Sequence, residues 1–324
     1  MASKMRFIVV GCGNIAQRCA IPALMNSGAT EVVCVVDTDE RKREIVETRF
    51  GLPFETDLKH VLETYEFESV YISTPNAIHV QIVEQVAPYR KNILCEKPLA
   101  GSMADAERIA ALGEQYDIPI FEGFMYQFHA QHTIKNQMIA DGAIGEPQLF
   151  QGWFGFPPIA DTDFRYKKAL GGGCVLDSCA YLVHSARHFY GCEPELVYAV
   201  LSNEEGREVE THATILLDFG RGRVANLVSG FNNKYKSQQV IWGSKGLLSL
   251  ERAYALPPDF QSTLTIETQE GITHQTMPAC NHFEEEMRYF VENCATSAEA
   301  WRNEFLNQTR VLMQIKENST TNRA

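Results

Sequence analysis

The placement of the first glycines constrains this chain more than any other feature. The apolar run MRFIVV (residues 5–10) ends directly on G11-C-G13-N-I-A16, and the residues beyond it carry helical spacing as far as Gly28. A strand that turns into a helix through two glycines presents unpaired N–H groups at the helix start. Gly11 makes the tight turn, Gly13 lets a pyrophosphate approach the backbone, and the small Ala16 lets helix and strand pack closely. Asn14 and Ile15 open the helix whose first amides would hold the phosphates. Asp37 closes the second apolar run, EVVCVVD, 21 residues beyond Ala16, and Thr38 follows it. A carboxylate at that strand end accepts both ribose hydroxyls of NAD and opposes a 2′-phosphate. NAD(H) is therefore the expected cofactor, with NADP(H) the second choice through Arg41 and Lys42 a turn later.

The runs ESVYIS, NILCE and IPIFEGF continue the pattern up to residue 124, each separated from the next by an amphipathic helical stretch. Continuous apolar strands alternating with helices imply a doubly wound parallel sheet covered on both faces, a Rossmann arrangement. From about Gly145 the style changes. EPQLFQGWFGF, PELVYAVLS, THATILLDFG, RVANLVSGF, KSQQVIWG, GLLSLE and STLTIETQ follow one another with turn residues between them and almost no helix. That pattern predicts an α+β half built on a large, mostly antiparallel sheet. The expected organisation is a dinucleotide-binding domain over 1–124 and a substrate-binding and oligomerisation domain over 125–324. The tail NSTTNRA is expected to fray.

A net charge of −12 with no basic stripe argues against a nucleic-acid partner. The N-terminus runs straight into a strand without the pattern of a signal peptide, and no apolar stretch approaches the ~18 residues that a membrane span needs. The nine cysteines are scattered and include no C-x-x-C pair. A cytoplasmic setting is expected. A sheet with one open face would be buried by pairing, so a homodimer or homotetramer through the C-terminal sheet is also expected.

Two loops at inferred strand ends carry polar groups. In I72-S-T74-P75-N76-A-I-H79 the Thr and Asn side chains stand at the carboxyl edge where ligands of such sheets bind, Pro75 stiffens the turn, and His79 either caps the next helix or touches cofactor. In N92-I-L-C-E96-K97-P98 an acid and a base stand side by side against a proline. Adjacent charges usually mean a solvated turn, but this position reverses that preference.

Taken together, strand–GxGxxA–helix, TPNxxH, CEKP and a following β-rich half resemble the glucose–fructose oxidoreductase/inositol dehydrogenase (Gfo/Idh/MocA) family over essentially the whole chain. The resemblance implies that Lys97 lies beside the nicotinamide and the substrate hydroxyl, while Glu96 orients it or contacts the cofactor ribose. The family's second signature is a glycine-led helix with an Asp and, four residues on, a His. Here it reads G171-G-G-C-V-L-D177-S-C-A-Y181-L-V-H184, with Tyr181 in the histidine's place. Positions i, i+4 and i+7 share a helix face. The resemblance therefore casts Lys97, Tyr181 and Asp177 as catalytic, the tyrosine exchanging a proton while the lysine stabilises charge.

Family branches with this tyrosine include dihydrodiol and aldose dehydrogenases and nucleotide-sugar 3-ketoreductases. F154-G-F-P-P, D163-F-R-Y, L170-G-G-G, Y235-K-S-Q-Q-V-I-W-G and R252-A-Y-A-L-P-P look most like the 3-ketoreductases. That branch commonly uses NADPH, which pulls against Asp37. Tyr126 and His129 of F124-M-Y-Q-F-H are expected to line the pocket, Arg165 to meet cofactor or substrate, and Tyr235 and Lys236 to face a diphosphate or base. The expected activity is hydride transfer between nicotinamide and a carbinol or keto carbon of a sugar, first a nucleotide-linked keto sugar. A free aldose, polyol or dihydrodiol substrate ranks second, and an NAD-using glycoside hydrolase or a sensor without chemistry below that. His184 and His188 have the i,i+4 spacing of metal ligands, but Ser185 stands where a zinc protease carries Glu and no third ligand follows at a fitting position, so no metal is expected.

Overall fold

The computed structural model describes residues 3–323. They form two compact units that divide between Met125 and Tyr126, with Phe283–Thr309 returning to the first unit and Arg310 onward to the second.

In the first unit, six strands run parallel: β1 (Met5–Val10), β2 (Thr30–Val36), β3 (Phe54–Glu55), β4 (Ser69–Ile72), β5 (Asn92–Glu96) and β6 (Ile120–Gly123), in the spatial order β3-β2-β1-β4-β5-β6. This is the doubly wound order expected from the alternation of strands and helices, with the chain reversing direction across the sheet at β1/β4. One sheet face, including Ile8, Val70, Ile72, Ile93, Cys95 and Ile120, is buried under α1 (His79–Val86) and α2 (Met103–Tyr116). Ser102 caps α2 by accepting from the Asp105 N–H at 3.1 Å.

The second unit carries α3 (Ala130–Ala140) and α4 (Ser178–Tyr190), and a nine-stranded sheet: β7 (Pro147–Gly155), β8 (Leu196–Asn203), β9 (His212–Asp218), β10 (Val224–Gly230), β11 (Lys236–Gly243), β12 (Gly246–Leu250), β13 (Thr263–Thr268), β14 (Gly271–Thr276) and β15 (Ser319–Arg323). Their order is β14-β13-β12-β11-β7-β10-β9-β8-β15. All pairings are antiparallel except β7/β10 and β8/β15. The tail departs from expectation: Ser319–Arg323 pairs in parallel with Ala199–Asn203 rather than fraying. Its polar side chains gave no apolar pattern, and its backbone completes an edge instead.

A second correction concerns the domain limits. The two long C-terminal helices are α5 (His282–Asn293) and α6 (Ala298–Glu317). Phe290 of α5 packs 5.8 Å from Phe7, and Trp301 of α6 packs 4.8 Å from Phe121 and stacks on Phe290 at 5.6 Å. These aromatic rings cover the other face of the parallel sheet, so 283–309 belongs to the first unit although the sequence places it in the second. Burial of each such ring is worth about 2 kcal/mol. No helix among the described residues is long and apolar enough to cross a membrane.

Candidate active site

The glycine turn of the first unit has the shape its sequence demands. Gly11 has φ +94°, and a Cβ there would meet Ser73 O at 2.7 Å and Thr74 Cγ2 at 2.8 Å, so only glycine fits. Above Gly13 nothing approaches a built Cβ closer than 3.9 Å, which leaves the backbone open to a phosphate. In the facing loop the Thr74 hydroxyl is buried without a hydrogen-bond partner among the described residues. An open glycine backbone and an orphaned hydroxyl beside it fit a dinucleotide, which would be held by the amides of Gly13, Asn14 and Ile15 and by the Thr74–Pro75–Asn76 loop.

Asp37 is turned toward this cradle. Its Oδ2 accepts the Cys12 N–H at 2.7 Å and the Lys42 ammonium at 2.7 Å, and its Oδ1 accepts the Asp39 N–H at 2.9 Å, next to Thr38. The other cations of the segment are engaged as well: Arg41 with Asp39 at 2.7 Å and Arg43 with Glu40 at 2.5 Å.

His79 has a structural job that its motif did not announce. It is buried, with Nδ1 3.1 Å from Pro98 O and Nε2 3.0 Å from Thr74 O. Burial lowers its proton affinity, so the ring is neutral and donates to only one of those carbonyls. With both nitrogens turned to backbone carbonyls, it braces the T-P-N loop against the E-K-P turn. In that turn Glu96 ends β5, Lys97 is half-buried and the Lys97–Pro98 peptide is cis. The Tyr71 hydroxyl donates to Glu96 Oε1, an arrangement with no sequence signal because Tyr71 lies inside an apolar strand.

In the second unit, Tyr181 is 7% exposed and sits in an aromatic nest on α4, with ring centroids 5.4 Å from Phe154, 6.0 Å from Tyr126 and 6.0 Å from Tyr254. His184, one turn on, has its Nδ1 2.8 Å from the Tyr126 hydroxyl and stacks on His188 at 4.0 Å. Tyr126, Tyr181 and His184 thus come together. Phe154 and Tyr254 were visible only as aromatic residues inside resemblance stretches. Asp177 precedes the helix and its carboxylate binds Arg165 Nε at 2.8 Å, while Arg165 also reaches Asp163 at 3.3 Å. The pairing holds the guanidinium charge with two acids. His129 is fully buried: its Nδ1 accepts the Gln131 N–H at 3.2 Å and caps α3, while its Nε2 lacks a partner among the described residues. Burial lowers its proton affinity.

Tyr235 and Lys236 have different surroundings. Lys236 lies over Trp153 at 4.0 Å. By strand register both belong to the sheet face opposite Phe154, and Phe154 is the one that packs on Tyr181. Alternation along a strand therefore separates Lys236 from the tyrosine. The Tyr235 hydroxyl donates to Ala255 O at 3.4 Å, with Arg252 over its ring at 4.8 Å.

Comparison with known proteins agrees with this geometry. Residues 5–124 match the oxidoreductase family with an NAD-binding Rossmann fold, and residues 135–249 match the GFO/IDH/MocA C-terminal domain. A dTDP-3,4-didehydro-2,6-dideoxy-alpha-D-glucose 3-reductase of Saccharopolyspora spinosa is 32% identical over 280 residues, 86% of this chain and 84% of that protein. A D-xylose 1-dehydrogenase (NADP(+)) of Haloferax volcanii is 26% identical and covers 99% of each chain. A solved 3-ketoreductase from Actinomadura kijaniata, in complex with NADP and TDP-benzene, superposes with a TM-score of 0.94 at 29% identity, covering 99% of this chain and 100% of that one. The chain belongs to the Gfo/Idh/MocA family of NAD(P)-dependent oxidoreductases.

Proposed function

We propose that this chain is a sugar oxidoreductase that reduces the keto carbon of a nucleotide-linked sugar. The observation that carries the reading is the placement of Lys97 at the carboxyl end of β5, in the same sheet whose β1 turn forms the dinucleotide cradle. The full-length likeness to 3-ketoreductases favours the nucleotide-linked substrate over a free aldose. A bound nicotinamide supplies the hydride. The Tyr181 phenol gives its proton to the substrate oxygen as the keto carbon becomes a carbinol, and the Lys97 ammonium stabilises the negative charge on that oxygen. Asp177 keeps Arg165 in place near the start of α4, and Tyr126 with His184 fixes the surroundings of Tyr181.

For the cofactor we favour NAD(H). Each cation at the end of β2 already serves an acid of the same segment. A 2′-phosphate would have to break one of these pairs and then face the Asp37 carboxylate. We also place the enzyme in the cytoplasm, on the strength of its nine free thiols, and as an oligomer joined through the open face of the second unit's sheet.

Nicotinamide absorbance, followed with dTDP-linked 3-keto sugars and with free aldoses, tests the substrate. Higher kcat/KM on free aldoses would move the chain to the aldose branch. Lys97→Met and Tyr181→Phe are each expected to lower kcat by about 10²–10⁴, and turnover untouched by Lys97→Met refutes the mechanism.

A further inference from the structure

Glu286 is 1% exposed and lies on α5 one turn before Phe290. Phe290 packs on Phe7 and Phe121 in the middle of the sheet face. The residue a turn earlier therefore reaches the carboxyl ends of the strands. A Cβ built on Gly123 would lie 3.6 Å from Glu286 Oε1, and Gly123 is the register partner of Glu96. Glu286 thus sits over the last residue pair of β5 and β6, against the E-K-P turn. Its Oε1 is buried and has no hydrogen-bond partner among the described residues.

The groups that surround this carboxyl come from every neighbouring element. Tyr71 of β4 donates to Glu96. Glu96 ends β5 on the face that α5 covers, with Lys97 beyond it, whereas Cys95 and Glu122 of β6 form the preceding register pair and point to the opposite face, where Glu122 accepts the Leu99 N–H at 2.8 Å. Cys19, with Arg18 beside it, faces Glu96 from the first helix. Carboxyl groups that share a water-poor pocket disfavour each other's ionisation. Burial and the Glu96 charge together push the Glu286 carboxyl well above the usual carboxylate range. Glu96 is raised by burial, but Tyr71 and Lys97 favour its charged form.

We propose that Glu286 is a positioning residue for Lys97: it holds a proton as a neutral carboxyl against ionised Glu96, so that the turn keeps a single negative charge beside the lysine. The proposal rests on the assignment of Lys97 to the reaction. Its function is to donate that proton as a hydrogen bond to Glu96, which keeps the Glu96 carboxylate ionised and oriented beside the lysine.

Infrared difference spectra of the substrate-free protein at neutral pH test the protonation without reference to turnover, so failure here is separate from failure of the sugar-reductase reading. Wild type minus Glu286→Gln is expected to show the C=O stretch of a protonated carboxyl, shifted in D2O, and wild type minus Glu96→Gln is expected not to. No such band in the first difference, or a band in the second alone, overturns the proposal. For the positioning role, Glu286→Leu should lower kcat about tenfold while Glu286→Gln recovers it, because an amide also donates to Glu96. Equal kcat in Glu286→Leu and wild type, or no recovery by Glu286→Gln, overturns that role.

Discussion

The Tyr126 hydroxyl lies 2.8 Å from His184 Nδ1, and both side chains are buried, on a loop before α3 and in the middle of α4. The hydroxyl donates when the imidazole carries its proton on Nε2. Tyr126→Phe keeps the ring and its edge-on contact with Tyr181 but leaves Nδ1 without its partner. An unsatisfied buried acceptor costs about 1–3 kcal/mol. Denaturant unfolding is expected to show a loss of that size. A loss below ~0.5 kcal/mol would mean that water replaces the hydroxyl, and that the pair contributes little to the setting of Tyr181.

The arrangement at the end of β2 makes cofactor choice testable in the same chain. Wild type is expected to bind NADH more tightly than NADPH. Asp37→Ser removes the carboxylate that opposes a 2′-phosphate and releases Lys42, so the ratio of dissociation constants should swing toward NADPH by at least tenfold, or about 1.4 kcal/mol. Affinity for NADH should fall at the same time, because the Cys12 N–H loses its acceptor. Calorimetric titration with both dinucleotides measures each quantity. Tighter binding of NADPH by the wild type would show that Lys42 leaves Asp37 for the phosphate.

The sequence made the parallel sheet, its dinucleotide turn and the E-K-P loop legible because each depends on local chemistry: an apolar run, glycines at fixed spacing, charged residues at a strand end. The register of the second sheet was not legible in this way. Lys236 and Tyr235 look alike as neighbours in Y-K-S-Q-Q, yet pairing of β11 with β7 puts Lys236 over Trp153, while the Tyr235 hydroxyl donates to Ala255 O. Residues whose role depends on distant partners were missed. Tyr71 and Glu286 read as an interior strand residue and a charged helix residue; the pairing of β4 with β5 brings the first to Glu96, and the packing of α5 brings the second beside Gly123, the register partner of Glu96. His79 was found as a motif residue, but its two carbonyl neighbours come from loops far apart in sequence.

Lys135 of α3 is buried, with Nζ 3.1 Å from Gln239 Oε1, and burial pulls its proton affinity down from 10.5 to about 8. Between those two values the unfolded chain holds a proton that the folded chain has released. Stability should therefore rise with pH across that window, and the cost of burying the charge is fully present below it. The shift corresponds to roughly 3 kcal/mol. Lys135→Met is expected to be more stable than wild type at pH 7 and to lose the upward slope in urea unfolding between pH 8 and 10.5. Parallel slopes in the two proteins would show that the ammonium stays solvated.

The register of the second sheet also defines a continuous outer face. Tyr198 pairs with Leu216 across β8 and β9, Trp242 with Leu247 across β11 and β12, and Ile272 of β14 with Glu267, the partner of Leu247. Tyr198, Trp242 and Ile272 are 59%, 56% and 60% exposed. The helix α4 covers the opposite face, where Phe154 meets Tyr181. Large apolar residues left in water across several strands mark an association surface, and a closed pair of such faces has the two-fold symmetry that most oligomers use. Sedimentation is expected to find wild type as a dimer or larger at micromolar concentration. The double variant Tyr198→Glu, Trp242→Glu should sediment as a monomer, since two buried unpaired charges per protomer cost several kcal/mol. These residues lie on the face turned away from Tyr181, so the monomer should keep dinucleotide affinity. A wild-type monomer, or a dimer indifferent to both glutamates, would place the association elsewhere.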